Sequence, residues 1–268
     1  MRHNRFDAAA GAQMERLLED LGRLYHERNR ALRDVAAAHH EALFRLALAA
    51  EYRDGDTGVH IVRMGFLAEA LALLAGETPT WSAMLRLAAP MHDVGKIGIP
   101  DAVLKKPGHL TADERAVMND HARIGAEILG RSSIPLIQLG AQVALTHHER
   151  WDGGGYPRGL AAEQIPLAGR IVAVVDVLDA LTMDRCYRRA LGDDRALDLL
   201  RAQRGRAFDP RLVDLMCAHF ADLVALRDRA NRSGADFGAL IAGPQSLAPL
   251  EAGPTEAATA AGAELARA

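Results

Sequence analysis

Two short segments of the sequence carry residues of the types that bind metal ions. Residues 147–157 begin with two histidines and run through three glycines into a Tyr-Pro pair, and residues 92–96 begin with His92 and Asp93. Imidazole nitrogens and carboxylate oxygens ligate divalent cations, and bound cations activate water for hydrolysis. The two segments therefore predict a single metal centre, provided that the fold brings them together.

Further nitrogen and oxygen ligands occur on the helices predicted around these segments. Asp56 and His60 are four residues apart and share a helix face if the helix has already begun at Asp56. Asp176 interrupts an apolar run, where an unpaired carboxylate would be costly to bury. The candidate ligands are five histidines and three aspartates: Asp56, His60, His92, Asp93, His121, His147, His148 and Asp176. A set without thiolates favours catalytic iron, manganese or zinc over structural zinc.

Each candidate ligand has a simpler explanation when it is considered alone. A single histidine on a helix is more often a packed or surface residue than a ligand, and Asp176 could be satisfied by a hydrogen-bonded ion pair instead of a cation. The metal centre is favoured because potential ligands recur on one predicted helix after another. The set is also large enough to hold more than one ion.

The elements that must position these ligands are helices, because the sequence contains almost no alternating strand pattern. Thr111 and Glu114 form a capping box at the start of the helix that bears His121. Pro135 and Pro166 stand where helices are expected to begin. The predicted helices span residues 58–75, 81–92, 112–130, 135–148, 166–182, 194–203 and 210–229. The sequence therefore predicts an all-α fold, a compact helical bundle.

The two ends of the chain differ from its middle. Residues 1–50 are predicted to be a helical extension, in which apolar residues from Met14 onward recur at spacings of three, four and seven. This pattern fits a dimerisation or signalling helix and, about equally well, an amphipathic helix that packs on its own domain. Residues 231–268 are rich in alanine, glycine and proline and are predicted to be a disordered tail.

The composition excludes several classes of protein. The net charge of −3 and the pI near 6.4 give no broad basic field for binding DNA. Cys186 and Cys217 cannot form a disulfide framework, which favours a reducing compartment. No uninterrupted apolar run is long enough for membrane insertion, and the N-terminus lacks the apolar core of a secretory signal. We therefore predict a cytoplasmic protein.

The sequence resembles the HD-GYP subgroup of the HD-domain metal-dependent phosphohydrolases. The pair at residues 92–93 is similar to the HD doublet of that family, and residues 155–157 match its GYP signature. The resemblance runs from about Glu51 to Phe220 and includes residues 96–100 and 184–188. Several separated motifs occur in the expected order, so the resemblance is specific. It implies an all-α HD-domain helical bundle with additional helices, and a catalytic domain over residues 51–230.

The resemblance also implies roles for individual residues. The family binds two or three divalent metal ions, usually iron and sometimes manganese, with zinc less expected. The positions that match its metal ligands are His60, His92, Asp93, His121, His147, His148 and Asp176, with Asp93 expected to bridge two ions. Lys96 would hold a phosphate, and the residues that match nucleotide contacts are Tyr156, Arg185 and Arg188.

The sequence departs from the family pattern at two positions. Members with three metal ions have glutamate where this chain has Asp56, whose shorter side chain leaves the choice between two and three ions open. Cys186 occupies a position where proline is usual, in the loop that presents Arg185 and Arg188.

The resemblance predicts a cyclic di-GMP phosphodiesterase of bacterial second-messenger signalling, with Asp93 and Lys96 in catalytic roles. Its product would be linear pGpG, and whether the reaction continues to GMP is open. One alternative is another HD-superfamily phosphohydrolase that acts on mononucleotides. A second alternative is a non-catalytic module that senses cyclic dinucleotides, or docks onto a diguanylate cyclase or a regulatory protein. A homodimer through the N-terminal helix is compatible with each of them.

Overall fold

The computed structural model describes residues 3–54, 58–183, 190–234 and 237–243. The α-helices in these ranges are α1 His3–Asp54, α2 Val59–Leu74, α3 Pro79–Ala88, α4 Asp101–Leu104, α5 Ala112–Asn119, α6 His121–Leu129, α7 Pro135–Thr146, α8 Leu167–Thr182, α9 Asp193–Ala202, α10 Pro210–Ala218, α11 Phe220–Ser233 and α12 Phe237–Ala242. Short 3₁₀ helices cover Ala89–Met91, Val94–Gly98 and Ala162–Gln164. The described ranges contain no β-strand, and the predicted all-α fold is confirmed.

The chain divides into two compact units, Met1–Arg45 and Leu46–Ala268. The described part of the first unit is helical and belongs to α1. Eight of its large apolar side chains are between 53% and 64% exposed, namely Met14, Leu17, Leu18, Leu21, Leu24, Tyr25, Leu32 and Val35. Among the described helices, none is both long enough and apolar enough to cross a membrane.

The second unit is built around α2 and α8, which are apolar on nearly all sides. Ile61, Met64 and Phe66 of α2 and Ile171 and Val174 of α8 are completely buried. A helix that is apolar all round belongs in a core, and α2 accordingly packs against α3, α8 and α11, while α7 packs against α6 and α8. Polar residues on these central helices are therefore largely enclosed by protein, and of the candidate ligands here His60 is buried and Asp176 is partly buried.

Two helix ends differ from the prediction in ways that position the candidate ligands. The helix expected over residues 81–92 ends at Ala88 and continues as the 3₁₀ helix Ala89–Met91, so His92 and Asp93 follow a break in the backbone. The helix expected over residues 112–130 is divided at Asp120. His121 is consequently the first residue of α6 and lies at a helix end instead of within a helix.

The C-terminal part of the second unit also differs from the expected disordered tail. The chain forms α12 at Phe237–Ala242, where Leu240 is buried. The buried guanidinium of Arg86 donates a hydrogen bond to the Leu240 carbonyl at 2.7 Å and pairs with Glu69 at 2.5 Å. This short helix therefore gives a buried arginine one of its acceptors. Residues 244–268 lie outside the described part of the chain.

Candidate metal centre

The structure brings seven of the eight predicted ligands together from five places in the fold. Their donor atoms form two sets, and within each set the atoms lie within 4.8 Å of one another. We call the first set the Asp93 group, which contains Asp93, His121, His147 and His148. We call the second set the Asp176 group, which contains His60, His92 and Asp176.

The carboxylate of Asp93 lies between the two groups. Its Oδ1 is 3.2 Å from His121 Nε2 and 3.6 Å from His147 Nε2, while its Oδ2 is 3.3 Å from His92 Nε2 and 2.8 Å from Lys96 Nζ. Burial alone would raise the pKa of Asp93, but the Lys96 ammonium and His92 hold that pKa well below its ordinary value. A negative charge is therefore maintained at the point where both groups meet.

Backbone carbonyls fix the orientation of three of the histidine rings. The Nδ1 atoms of His92, His121 and His147 lie 3.0, 2.8 and 3.0 Å from the carbonyls of Ala89, Met118 and Ala144. A carbonyl can only accept, so each Nδ1 carries a hydrogen and Nε2 is the ring atom that faces the centre; when the ring is neutral, Nε2 offers its lone pair. This tautomer is the one that a metal ligand requires.

His60 is held differently, by a buried side-chain network. Its Nδ1 donates to Asp179 Oδ2 at 2.6 Å, and the Arg63 guanidinium donates to both carboxylate oxygens of Asp179 at 2.5 and 2.8 Å. Arg63 also donates to the side chain of Asn231 at 2.9 Å. Burial opposes ionisation of Asp179, but the hydrogen bonds from Arg63 and the proximity of His60 lower its pKa. The carboxylate therefore stays charged and orients the His60 ring.

The two groups also differ in how readily their histidines take up a proton. Burial alone would lower the pKa of His92, but Asp93, Asp176 and Glu51 raise it to about 9. Burial likewise opposes protonation of His60, whose pKa is raised by Asp179. In the Asp93 group, burial lowers the pKa of His147 and, together with His147, lowers the pKa of His148 well below its usual value. These two rings are therefore neutral, as metal ligands must be.

The residues of the centre fit divalent cations. His92 Nε2 and Asp93 Oδ1 are buried and make no hydrogen bond of good geometry. Buried polar atoms are normally satisfied, so each of these atoms requires an explanation, and a cation in each group, one held by Asp93 Oδ1 and the other by His92 Nε2, would provide it. The donors are imidazoles and carboxylates without a thiolate, which is the chemistry of catalytic sites for first-row metals.

The turn after His148 forms one wall of the centre. The Tyr156 ring stacks on the His148 ring, with centroids 4.8 Å apart and an interplanar angle of 29°. The Glu149 carboxylate accepts hydrogen bonds from the backbone N–H groups of Arg158 and Leu160 at 2.8 and 3.0 Å. Gly155 has to be glycine here, since a Cβ would collide with the backbone of Arg150. The turn is thus closed by its own side chains and presents Tyr156 to the metal ligands.

Some predicted site residues lie outside the described part of the chain. They are Asp56, Arg185 and Arg188, together with Cys186 in the same loop. The structure also shows residues that the sequence did not point to, namely Glu51, Arg63 and Asp179. Arg63 and Asp179 each follow a candidate ligand by three residues, which places them on the same helix face as that ligand. This spacing is the signal that could have identified them.

Glu51 offers no comparable signal in the sequence. It lies in the last turn of α1 and its side chain is buried. Burial raises the pKa of Glu51 despite the opposing influence of His60. Asp93, His92 and Lys96 also act on it electrostatically, so this carboxyl group borders the centre. The predicted boundary between the N-terminal extension and the catalytic domain falls next to Glu51. The residues that surround Glu51 in the structure come from other segments, so no local pattern points to it.

A bundle that carries these two groups of ligands defines a metal-binding protein of the HD-domain class. The sequence profile of the HD domain family matches residues 14–212, so the chain belongs to this family, and the resemblance to its HD-GYP subgroup is confirmed. HD domains bind divalent metals, and the His/Asp groups described above could hold them.

Several relatives are cyclic dinucleotide phosphodiesterases. The chain is 51% identical over 193 residues to the cyclic di-GMP phosphodiesterase response regulator RpfG of Xanthomonas campestris, covering 72% of this chain and 51% of that protein. It is 43% identical over 194 residues to the 3′3′-cGAMP-specific phosphodiesterase 2 of Vibrio cholerae, covering 72% of this chain and 37% of that protein. The chain thus spans about half or less of the length of these relatives.

A solved structure shares the fold. The cyclic GMP-AMP specific phosphodiesterase V-cGAP3 of Vibrio cholerae superposes with a TM-score of 0.52 at 19% sequence identity, over 72% of this chain and 52% of that one. At this level of identity the likeness concerns the helical architecture alone.

Proposed function

We propose that the chain is a metal-dependent phosphodiesterase that hydrolyses cyclic di-GMP to linear pGpG, and that residues 51–230 are its catalytic domain. The observation that carries this proposal is the position of the Asp93 carboxylate. Its Oδ1 faces a histidine of the Asp93 group and its Oδ2 faces a histidine of the Asp176 group. The 51% identity to a cyclic di-GMP phosphodiesterase supports the choice of substrate. A second cleavage, of pGpG, would give GMP.

We propose iron as the metal, with manganese as the alternative and zinc less favoured. Bound divalent cations would supply Lewis acidity and lower the pKa of water at the scissile phosphate. Asp93 would be shared between two ions, and the remaining ligands would be His60, His92, His121, His147, His148 and Asp176. Asp56 is retained as a candidate ligand for a third ion.

The other residues of the site bind and orient the substrate. The Lys96 ammonium lies beside Asp93, where it can offset negative charge on the non-bridging phosphate oxygens. Tyr156, which is stacked on His148, would contact a base or the phosphate at the wall of the centre. Arg185 and Arg188 are proposed as further nucleotide contacts.

The proposal is tested by assaying the protein, purified anaerobically and loaded with iron or manganese, on cyclic di-GMP and separating the products by chromatography. Turnover to pGpG is expected, and replacing both His92 and Asp93 with alanine should abolish it. A preference for a cyclic mononucleotide or a nucleoside triphosphate would overturn the choice of substrate. Binding of cyclic di-GMP without turnover by the metal-loaded protein would favour a sensing module instead.

A second substrate deserves the same assay because one relative, 43% identical, is specific for 3′3′-cGAMP. The two cyclic dinucleotides share the phosphodiester ring and differ in one base. Comparison of kcat/KM for cyclic di-GMP and 3′3′-cGAMP on the same enzyme preparation distinguishes these candidates. We expect cyclic di-GMP to be the better substrate.

We also propose that α1 mediates a homodimer. Its exposed leucines recur at the spacing of a coiled-coil stripe, and a monomer would leave this stripe in water. The proposal is tested by sedimentation of the full chain and of a variant with Leu17, Leu21 and Leu24 replaced by glutamate. The variant should be a monomer, whereas Leu73→Glu, at an exposed site on α2, should leave the assembly unchanged.

A further inference from the structure

Lys96 belongs to a single short 3₁₀ helix and not to one of the α-helices of the bundle. The 3₁₀ helix Val94–Gly98 follows Asp93 directly and ends in the extended residue Ile99. On one side the segment is pressed against α6, where a Cβ on Gly95 would collide with the carbonyl of His121. The Lys96 ammonium is paired with Asp93, and the position of its backbone depends in addition on what holds the other side of this segment.

The other side is held by Arg53, from the last turn of α1. Its Nη1 donates to the carbonyls of Lys96, at 3.3 Å, and Ile97, and its Nη2 donates to the carbonyl of Ile99 at 2.9 Å. Nη2 also pairs with the Asp101 carboxylate at 2.6 Å. One guanidinium thus binds three carbonyls of the segment that contains Lys96. The segment is therefore held between Arg53 on one side and α6 on the other.

We propose that Arg53 is a positioning residue that holds Lys96 beside Asp93 for contact with the phosphate of the substrate. The proposal rests on the proposed function, because it assigns Lys96 to the phosphate. A guanidinium suits this task because its planar array of N–H donors can reach several carbonyls at once, whereas an ammonium is a point charge with three donors. Within the described ranges, the hydrogen bonds of Arg53 go to the carbonyls of this segment and to Asp101, so Arg53 acts on the site through Lys96.

The test uses the full chain loaded with manganese and the variants Arg53→Ala and Arg53→Lys. Both variants should keep the manganese content of the unmodified protein, because the ligands are held by other contacts. Both should bind inorganic phosphate more weakly and lose roughly 10- to 100-fold in kcat/KM for cyclic di-GMP, the usual range for residues that orient a reactive group. Arg53→Lys retains the charge and most of the volume, so it covers the case in which Arg53→Ala fails to fold.

A double-mutant comparison separates positioning from general stability. In a Lys96→Ala background, Arg53→Ala should cause no further loss of phosphate affinity, because Arg53 acts through Lys96. Additive losses would overturn the proposal, and so would loss of manganese from the Arg53 variants. Should the unmodified protein not cleave cyclic dinucleotides, the proposed function fails, while the phosphate measurements still decide the role of Arg53.

Two matched variants control for the removal of a surface charge. Arg204→Ala removes an arginine that forms a bidentate salt bridge with Asp214, and this variant should leave phosphate binding unchanged. Asp101→Ala removes the exposed carboxylate partner of Arg53 but spares the three carbonyl contacts, so its effect should stay below about threefold. If Asp101→Ala reduced phosphate affinity as much as Arg53→Ala does, the role assigned to the hydrogen bonds between Arg53 and the carbonyls would be contradicted.

Discussion

The Asp93 group and the Asp176 group are built from the same residue types but held by different means. In the Asp93 group, His121 and His147 are oriented by backbone carbonyls close to them in sequence. In the Asp176 group, His92 is oriented in the same way, but His60 depends on the Asp179 carboxylate from another helix. Backbone anchors follow from helix geometry and survive most substitutions. A side-chain anchor can be removed by a single substitution, so the Asp176 group is the more vulnerable of the two.

The largest effect is expected at the residue that both groups share. Asp93→Asn removes the charge that lies between them and should reduce metal content in both groups, with a loss of activity of roughly 10³-fold or more, as is typical for residues that act as a unit. His121→Ala should empty the Asp93 group alone. Metal analysis of each variant, alongside the hydrolysis assay, distinguishes the two outcomes. Full metal content in Asp93→Asn would refute the shared carboxylate.

The next effect is specific to the Asp176 group. Asp179→Asn should weaken metal binding there by about 10- to 100-fold, since His60 loses the carboxylate that fixes its ring. A control is provided by Asp209→Asn, which disrupts another buried ion pair, with Arg170 at 2.6 Å. Both variants should lose about 3–5 kcal/mol in free energy of unfolding. If metal affinity falls equally in both, the effect of Asp179→Asn is one of stability alone.

The groups should also differ in the pH dependence of metal binding. The pKa of His92 is about 9, so its ring holds a proton below that pH and must release it to ligate a cation. Affinity at the Asp176 group should therefore rise by up to about tenfold per pH unit between pH 7 and 9 and level off above. Affinity at the Asp93 group should change less, because His147 and His148 are already neutral.

This difference can be measured by competing the protein with a chelator of known affinity at pH 7, 8 and 9. His121→Ala isolates the Asp176 group and His60→Ala isolates the Asp93 group. If metal affinity changed equally with pH in the two variants, the proposed electrostatic difference between the groups would be wrong.

The smallest effect is expected at the wall of the Asp93 group. Tyr156→Phe keeps the ring that stacks on His148 and removes only the hydroxyl, so KM for cyclic di-GMP should rise about two- to tenfold, the value of one hydrogen bond. Metal content should not change in either group. A loss of metal from this variant would mean that the hydroxyl supports the ligands and not the substrate.

The contrast between local and long-range anchors also describes what the sequence could reveal. The capping box of Thr111 and Glu114 is present as predicted, because its partners are three residues apart. The predicted metal ligands within the described residues converge in the structure. They could be predicted because each belongs to a recognisable motif or interrupts an apolar helix. The division of the predicted helix at Asp120 was missed, because no glycine or proline marks it.

The residues that support the ligands were not predictable in the same way. Asp179 meets His60 across 119 positions of sequence, and Arg53 meets the carbonyl of Lys96 across 43. The spacing of three residues after Asp176 marks Asp179 as a candidate, but neither pairing itself can be read from a local pattern, because it depends on how the helices pack. The loop with Arg185 and Arg188 remains a sequence-based prediction.

The inward-facing ring nitrogens have a consequence for which metal the protein acquires. Hydrogen bonds to backbone carbonyls orient His92, His121 and His147, so the protein's own backbone sets the direction of these three ligands. Among nitrogen and oxygen donors, affinity rises from manganese through iron to copper, and zinc also competes well. The metal that the protein binds should therefore depend mainly on which ions the cell supplies. Protein produced in zinc-rich medium should therefore carry zinc, and if iron or manganese is the active metal as proposed, exchange for either ion should raise its activity.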